Sequence, residues 1–156
     1  PIATNMYPAR FDDLGPAIRM GAVDIVLTDL HYWEGPRGVK DLVAVCRTFN
    51  LGVAMHSGCE FGIELAAMLH TAATIPEMTF AGDAHYHYLT DDIIVGGKMD
   101  YVDGAIAVPT GPGLGVALDP EKMDKYERYY EKMGDYYARF HADPRRPDWY
   151  PTVGGL

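Results

Sequence analysis

Four polar side chains stand at the carboxyl ends of four successive strand-like segments, and their spacing constrains the fold more than any other feature. They are Asn5, Asp29, His56 and Asp83, separated by 24, 27 and 27 residues. Each interval contains a helix-like pattern. Strands that alternate with helices over such short connections are typical of a parallel sheet crossed by helices. We therefore expect an α/β fold built from consecutive βα units.

The segments between these residues carry the periodicities of both element types. Apolar, β-branched runs predict strands, and apolar positions at helical spacing predict helices. The strands are expected at 1–5, 23–29, 51–57 and 78–83, and the helices at 11–20, 37–49 and 63–72. The nearly continuous apolar strands indicate a sheet that is covered on both faces. In a barrel of βα units the strand ends converge at one mouth, so we expect the four polar side chains to meet there.

The pattern changes after Asp83. Glycine- and proline-rich stretches at 96–98, 105–109 and 111–116 predict return strands with turns, and 120–140 predicts a helix with one apolar stripe, followed by a tail. We divide the chain into residues 1–90, which carry the βα units, and residues 91–156, which carry the return strands, the C-terminal helix and the tail. The first strand reads as the end of a longer one, so we expect a preceding portion of chain.

Composition limits the classes of partner. With 48% hydrophobic residues the chain can build a core, and a net charge of −9 argues against nucleic acid as a partner. The sequence has neither an apolar run of membrane-spanning length nor a signal-peptide pattern. Cys46 and Cys59 fit neither a zinc pattern nor a disulfide framework, which favours a reducing compartment such as the cytoplasm.

Asp29 and His56 form the most informative pair. Taken alone, Asp29 is equally compatible with a helix cap, and His56 with a hydrogen-bonded core histidine. Neighbouring parallel strands, however, would place them side by side. A carboxylate that accepts a hydrogen bond from one imidazole nitrogen fixes the tautomer and raises the basicity of the ring, as a general base requires.

The remaining polar groups leave alternatives open. Asn5 is an oxygen ligand suited to a hard cation such as magnesium, or a cap. His85 and His87 are compatible with a transition metal, with substrate contacts or with aromatic packing. Cys59 lacks an obvious histidine partner for a nucleophilic role, and the glycines at 111–115 lack the ending of a phosphate-binding loop.

Five motifs occur in an order that resembles a known family. They are Ala3-Thr4-Asn5-Met6, Val23-Asp24-Ile25-x-Leu27-x-Asp29-x-His31-x-Trp33, His56-Ser57, Asp83-x-His85 and Pro112-Gly113-Leu114-Gly115-Val116. Over residues 1–119 the chain resembles the C-terminal part of the enolase-superfamily acid-sugar dehydratases, and most of all the glucarate dehydratases. The resemblance implies the C-terminal half of a (β/α)₇β TIM-like barrel, followed by a return strand and a C-terminal helix.

The resemblance also implies roles for individual residues. Asn5 would be the third magnesium ligand, and Asp29 and His56 would be the catalytic Asp–His dyad. The residues expected to contact substrate are Asp83, His85, Ser57 and His31. The implied reaction is a magnesium-dependent dehydration of an aldarate or aldonate, through α-proton abstraction and an enediolate, to a 2-keto-3-deoxy acid. A racemase or epimerase that shares the enediolate step, and a non-catalytic half-barrel that binds a partner, are the alternatives.

Two features depart from the family pattern. Where the family carries Ser-Asn-Asn after the histidine, this chain has Ser57-Gly58-Cys59-Glu60, so an acid sugar other than glucarate is equally compatible with the sequence. The other acidic metal ligands, the Lys-x-Lys base and the capping domain of the family are not found in these 156 residues. We therefore expect activity only together with an N-terminal portion, on the same or a separate chain, in a homo-oligomer.

Overall fold

Parallel strands alternate with helices through the first part of the chain, as the spacing predicts. The structure is a computed structural model and describes residues 1–58 and 60–133. The strands are β1 (Ala3–Thr4), β2 (Ile25–Thr28), β3 (Gly52–Ser57) and β4 (Asp83–Ala84). The helices are α1 (Phe11–Met20), α2 (Gly35–Thr48), α3 (Gly62–Ala73) and α4 (Pro120–Met133), with a 3₁₀ helix at His85–Tyr88. The strands pair in the order β1-β2-β3-β4, all parallel, so the expected α/β half-barrel is confirmed.

The core lies between the sheet and the helices that cross it. Its largest fully buried side chains include Trp33, Leu42, Met55, Leu65 and Tyr86. Burial of side chains of this size contributes about 1.5–3 kcal/mol each. In β2, Val26 and Thr28 are buried, whereas the alternating Ile25 and Leu27 are half-buried. The sequence predicted a sheet covered on both faces, but the second face of this strand is covered only in part.

Gly38, in the first turn of α2, lies directly against the backbone of the β2–α2 loop. A Cβ atom on Gly38 would lie 1.8 Å from the carbonyl oxygen of Trp33, which leaves no room for any other residue. Trp33 is fully buried and packs edge-on against Phe11 of α1, with ring centroids 5.2 Å apart. This contact ties the loop that follows β2 to the first helix.

The side chain of Asp92 holds the start of α3 in place. Asp92 is fully buried, and its carboxylate accepts hydrogen bonds from the backbone N–H of Gly62, at 3.0 and 3.1 Å, and from the hydroxyl of Tyr86. The same hydroxyl accepts from the backbone N–H of Met99, at 2.9 Å. A Cβ atom on Gly62 would lie 2.5 Å from Asp92, so glycine is required there. Burial and the hydrogen bond to Asp92 raise the pKa of Tyr86, which keeps its phenol a donor.

Two strand predictions are wrong. The strand expected at 78–83 is reduced to β4, because the N–H groups of Met78 and Thr79 donate to turn carbonyls instead of a ladder. The return strands expected between 96 and 116 are also missing. Among the described residues, one isolated bridge forms inside that region, between Val102 and Ala105, and a second joins its flanks, between Ile94 and Leu118. Residues 112–115 form a turn in which Gly113 and Gly115 adopt φ of 65° and 71°.

The chain divides into two compact units, residues 1–118 and 119–156. In the second unit α4 begins at Pro120, as predicted, and Asp119 caps it by accepting from the backbone N–H groups of Glu121 and Lys122. The helix is described to Met133, so its predicted continuation to 140 and the tail at 143–151 lie outside the described residues. The functional division predicted after residue 90 stays a prediction. Across the described ranges, every helix is too short or too polar to cross a membrane.

We expect Asp92→Ala to lower the free energy of unfolding by about 2–3 kcal/mol, because it leaves the buried Gly62 N–H and the Tyr86 hydroxyl without their acceptor. Urea unfolding of the two proteins side by side measures the difference. Asp41→Ala, which removes an exposed carboxylate from α2, is the matched control and should change stability by less than about 0.5 kcal/mol. Equal losses for both variants would contradict the assigned role of Asp92.

Candidate functional site

The register between β2 and β3 places Asp29 beside His56. The two strands pair Thr28 with Met55. The residues that follow this pair are Asp29 after Thr28 and His56 after Met55, so they are neighbours. The Nδ1 atom of His56 lies 2.7 Å from Oδ1 of Asp29. Asp29 is 1% exposed, and the ring of His56 is 13% exposed at the strand end. The structure thus joins the two residues that the sequence singled out as a dyad.

The environment of Asp29 disfavours its charge. Burial raises the pKa of its carboxyl group, against the opposing effect of the hydrogen bond to His56 and the nearby His31. Its second oxygen, Oδ2, is buried and makes no hydrogen bond within the described residues. When ionised, the carboxylate accepts from the Nδ1 side of the ring and leaves Nε2 for other partners.

Three further predicted residues lie around the His56 ring, Asp83 and His85 toward Nε2 and Asn5 near both ring nitrogens. Asp83 is the register partner of His56 on β4, with its Oδ2 3.9 Å from Nε2 of the ring. His85 lies 3.6 Å from Asp83 through its own Nε2, and the two imidazole centroids are 5.6 Å apart. From β1, the side-chain nitrogen of Asn5 lies 3.2 Å from Nδ1 of His56. The four strand ends therefore meet at one place, as the spacing predicted.

Ser57 and His31 face a different residue, Glu60. Ser57 is buried, and its hydroxyl donates to Oε2 of Glu60 over 2.5 Å. The Nδ1 atom of His31 lies 4.0 Å from Oε1 of Glu60. Although burial opposes its ionisation, the hydrogen bonds from Ser57 and from the backbone of Gly58 and Glu60, together with His31, lower the pKa of Glu60.

Sequence reasoning missed Glu60. It treated the segment 57–60 as a departure from the family and weighed only Cys59, which lies outside the described residues. The available signal was an acidic residue three positions after Ser57 and three positions before the helix predicted at 63–72. Glu64, one turn further, has a raised pKa because of burial and of the charges of Glu60 and Asp29, against the opposing effect of His31.

Asn5 is the one residue of the predicted magnesium site whose side chain can be tested against this structure as a ligand. The Nδ2 atom of Asn5, not its Oδ1, lies next to the His56 ring, and an amide oxygen is a ligand that magnesium accepts. Two other groups have donor atoms within 4.8 Å of one another, His56 with Asp83 and His85, and Asp29 with His31 and Glu60. Both are richer in imidazole than magnesium sites usually are.

Comparison with known proteins decides the family. The sequence profile of the enolase C-terminal domain-like family matches residues 1–122. The chain belongs to this family. A probable glucarate dehydratase from Streptomyces coelicolor is 42% identical over 158 residues, which cover 98% of this chain and 36% of that protein. A D-galactonate dehydratase from Xanthomonas euvesicatoria is 30% identical over 145 residues, which cover 87% of this chain and 34% of that protein.

Solved structures of this family have the same fold. A Pseudomonas fluorescens enolase, crystallised with magnesium, potassium and tartrate, superposes with a TM-score of 0.88 at 38% identity, over 96% of this chain and 36% of that one. The chain spans about a third of the length of the curated relatives it matches. The family assignment from the five motifs is therefore confirmed.

We expect Asp29→Asn to raise the stability of the protein near pH 7. The folded-state pKa of Asp29 lies above its usual 3.8, so its ionisation opposes folding. That cost is absent below pH 3.8, where the carboxyl is neutral in both states, and is complete once the pH exceeds the folded-state pKa. Thermal unfolding from pH 4 to pH 7 should show the gain growing with pH. Asp41→Asn is the exposed control, and a variant that loses stability at pH 7 would contradict this account.

Proposed function

We propose that this chain carries the proton-transfer dyad of a magnesium-dependent acid-sugar dehydratase. The observation that supports this most is the 2.7 Å contact between Nδ1 of His56 and Oδ1 of a buried Asp29. An imidazole held by a carboxylate at a strand end is suited to moving a proton at its other nitrogen. The family membership favours a substrate whose acidic hydrogen lies next to a carboxylate.

The chemistry follows from what His56 can reach. Its Nε2 removes the hydrogen next to the substrate carboxylate or, as an imidazolium, protonates the departing β-hydroxyl. Asp29 orients the ring in either role and stabilises its positive form. The C–H and C–O bonds break, water leaves, and the enol rearranges to a 2-keto-3-deoxy acid. Asp83 lies near Nε2 and His85 lies near Asp83, and both would contact the substrate hydroxyls.

Magnesium is the proposed cofactor. When bound, it lowers the energy of the negative charge that develops on the substrate carboxylate, which imidazole alone cannot offset. Asn5 would supply one of its ligands, next to the His56 ring. The remaining magnesium ligands and a second base would come from residues beyond this chain. We further propose that the complete enzyme is a cytoplasmic homo-oligomer.

The assembled enzyme, meaning this chain together with the N-terminal portion, should convert aldonates or aldarates to 2-keto-3-deoxy acids. A screen of both classes with a colorimetric assay for the product tests this, with and without magnesium. We expect turnover to need magnesium and Asn5→Leu to raise the magnesium concentration required by at least about tenfold. No product from any acid would overturn the proposal. Exchange of the α-hydrogen in D₂O without loss of water would identify a racemase or epimerase instead.

The chain alone should neither turn over substrate nor melt cooperatively as a monomer. Its first strand has only two residues and lies at the edge of the sheet, where no described residue pairs with its outer side, and Ile2 and Met6 are 60% and 70% exposed beside it. Size-exclusion chromatography and differential scanning calorimetry of the chain, with the assembled enzyme as the control, measure this. A sharp monomeric transition for the chain alone would favour a self-sufficient binding module.

A further inference from the structure

Glu60 interacts with both Ser57 and His31, two of the side chains that were expected to contact substrate. It accepts the hydroxyl of Ser57 at 2.5 Å, and its other oxygen lies 4.0 Å from His31. Its side chain is 24% exposed, so the carboxylate is reachable from solvent. Whatever part of a ligand enters here meets Glu60 before it meets Ser57, which is 2% exposed.

The surroundings of Glu60 are rich in acceptors and in negative charge. Asp29 contributes a buried oxygen, Oδ2, that makes no hydrogen bond within the described residues, and its carboxylate lies within 4.8 Å of the donor atoms of Glu60 and His31. Glu64 is close enough to be affected by the charges of both acids. The ion pairs of Asp29 and Glu60 among the described residues are with histidine, not with lysine or arginine.

A carboxylate such as that of Glu60 discriminates between two kinds of distal end in an acid sugar, an uncharged hydroxyl-bearing end and a second carboxylate. A carboxylate only accepts hydrogen bonds, so it pairs well with the hydroxyl hydrogens of an uncharged polyol. A second substrate carboxylate would face like charge at short range. Discrimination of this kind combines a favourable contact for one ligand with a repulsive contact for the other.

We propose that Glu60 is a specificity-determining residue that selects acid sugars with one carboxylate, the aldonates, over those with two, the aldarates. This inference rests on the proposed dehydratase function. Glu60, whose carboxylate is partly exposed, receives the hydroxyls of the distal, uncharged end of the substrate, and Ser57 and His31 hold Glu60 in position for that contact.

The test compares an aldonate with the aldarate that differs from it only by oxidation of the terminal carbon. In the assembled enzyme we expect kcat/KM to favour the aldonate by at least about tenfold, and Glu60→Gln to reduce that preference by about tenfold, mainly through a lower KM for the aldarate. Glu60→Asp, which retains the charge, should keep the preference. Glu77→Gln removes a carboxylate that is paired with Arg47, away from the strand carboxyl ends, and should behave as wild type.

Binding of both acids, measured by isothermal titration calorimetry with magnesium present, makes the test independent of turnover. A wild-type preference for the aldarate, or the same ratio in wild type and Glu60→Gln, would overturn the inference while leaving the dehydratase proposal intact. A lower aldarate affinity in Glu60→Gln would also overturn it, because it would indicate a cation that bridges Glu60 to the second carboxylate. Failure of the dehydratase proposal is recognised separately, by binding without product.

Discussion

The parallel register of β2 and β3 is the constraint on which the site depends. Because Thr28 pairs with Met55, the next residues on the two strands put a carboxylate beside an imidazole without help from any loop. A slip of either strand by one residue would turn its polar side chain to the other face of the sheet and separate the pair. The hydrogen bonds from the Gly62 N–H to Asp92 then hold the first turn of α3, two residues after Glu60.

The candidate site contains a carboxyl group, that of Asp29, whose ionisation is disfavoured by burial. Asp29 is buried, one of its oxygens has no hydrogen-bond partner in the part of the chain that the structure describes, and its raised pKa reflects the cost of removing a carboxylate from water. The hydrogen bond to His56 offsets part of that cost and makes the pair act as one unit. Glu60 shows the reverse balance, because hydrogen bonds outweigh its burial. The pKa values of two carboxylates in one small region are thus shifted in opposite directions by their surroundings.

The sequence predicted the parts of the fold that depend on spacing and failed where local backbone geometry decides. Helices α1, α2 and α3 and strands β2 and β3 follow from periodicity, and Asn5, Asp29, His56 and Asp83 meet because strand ends converge. The region 96–116 was misjudged, because its apolar residues suit a strand while Gly113 and Gly115 need the left-handed region. Glu60 was missed because its role comes from contacts with Ser57 and His31 that no periodicity encodes.

A double-mutant cycle on turnover by the assembled enzyme tests most directly whether Asp29 and His56 act as one dyad. If they do, His56→Gln should lower kcat by at least about 10²-fold. Adding Asp29→Asn should then cost little more, because residues that act as a unit are strongly non-additive. Independent, multiplicative losses, or a His56→Gln variant within about twofold of wild type, would contradict the account.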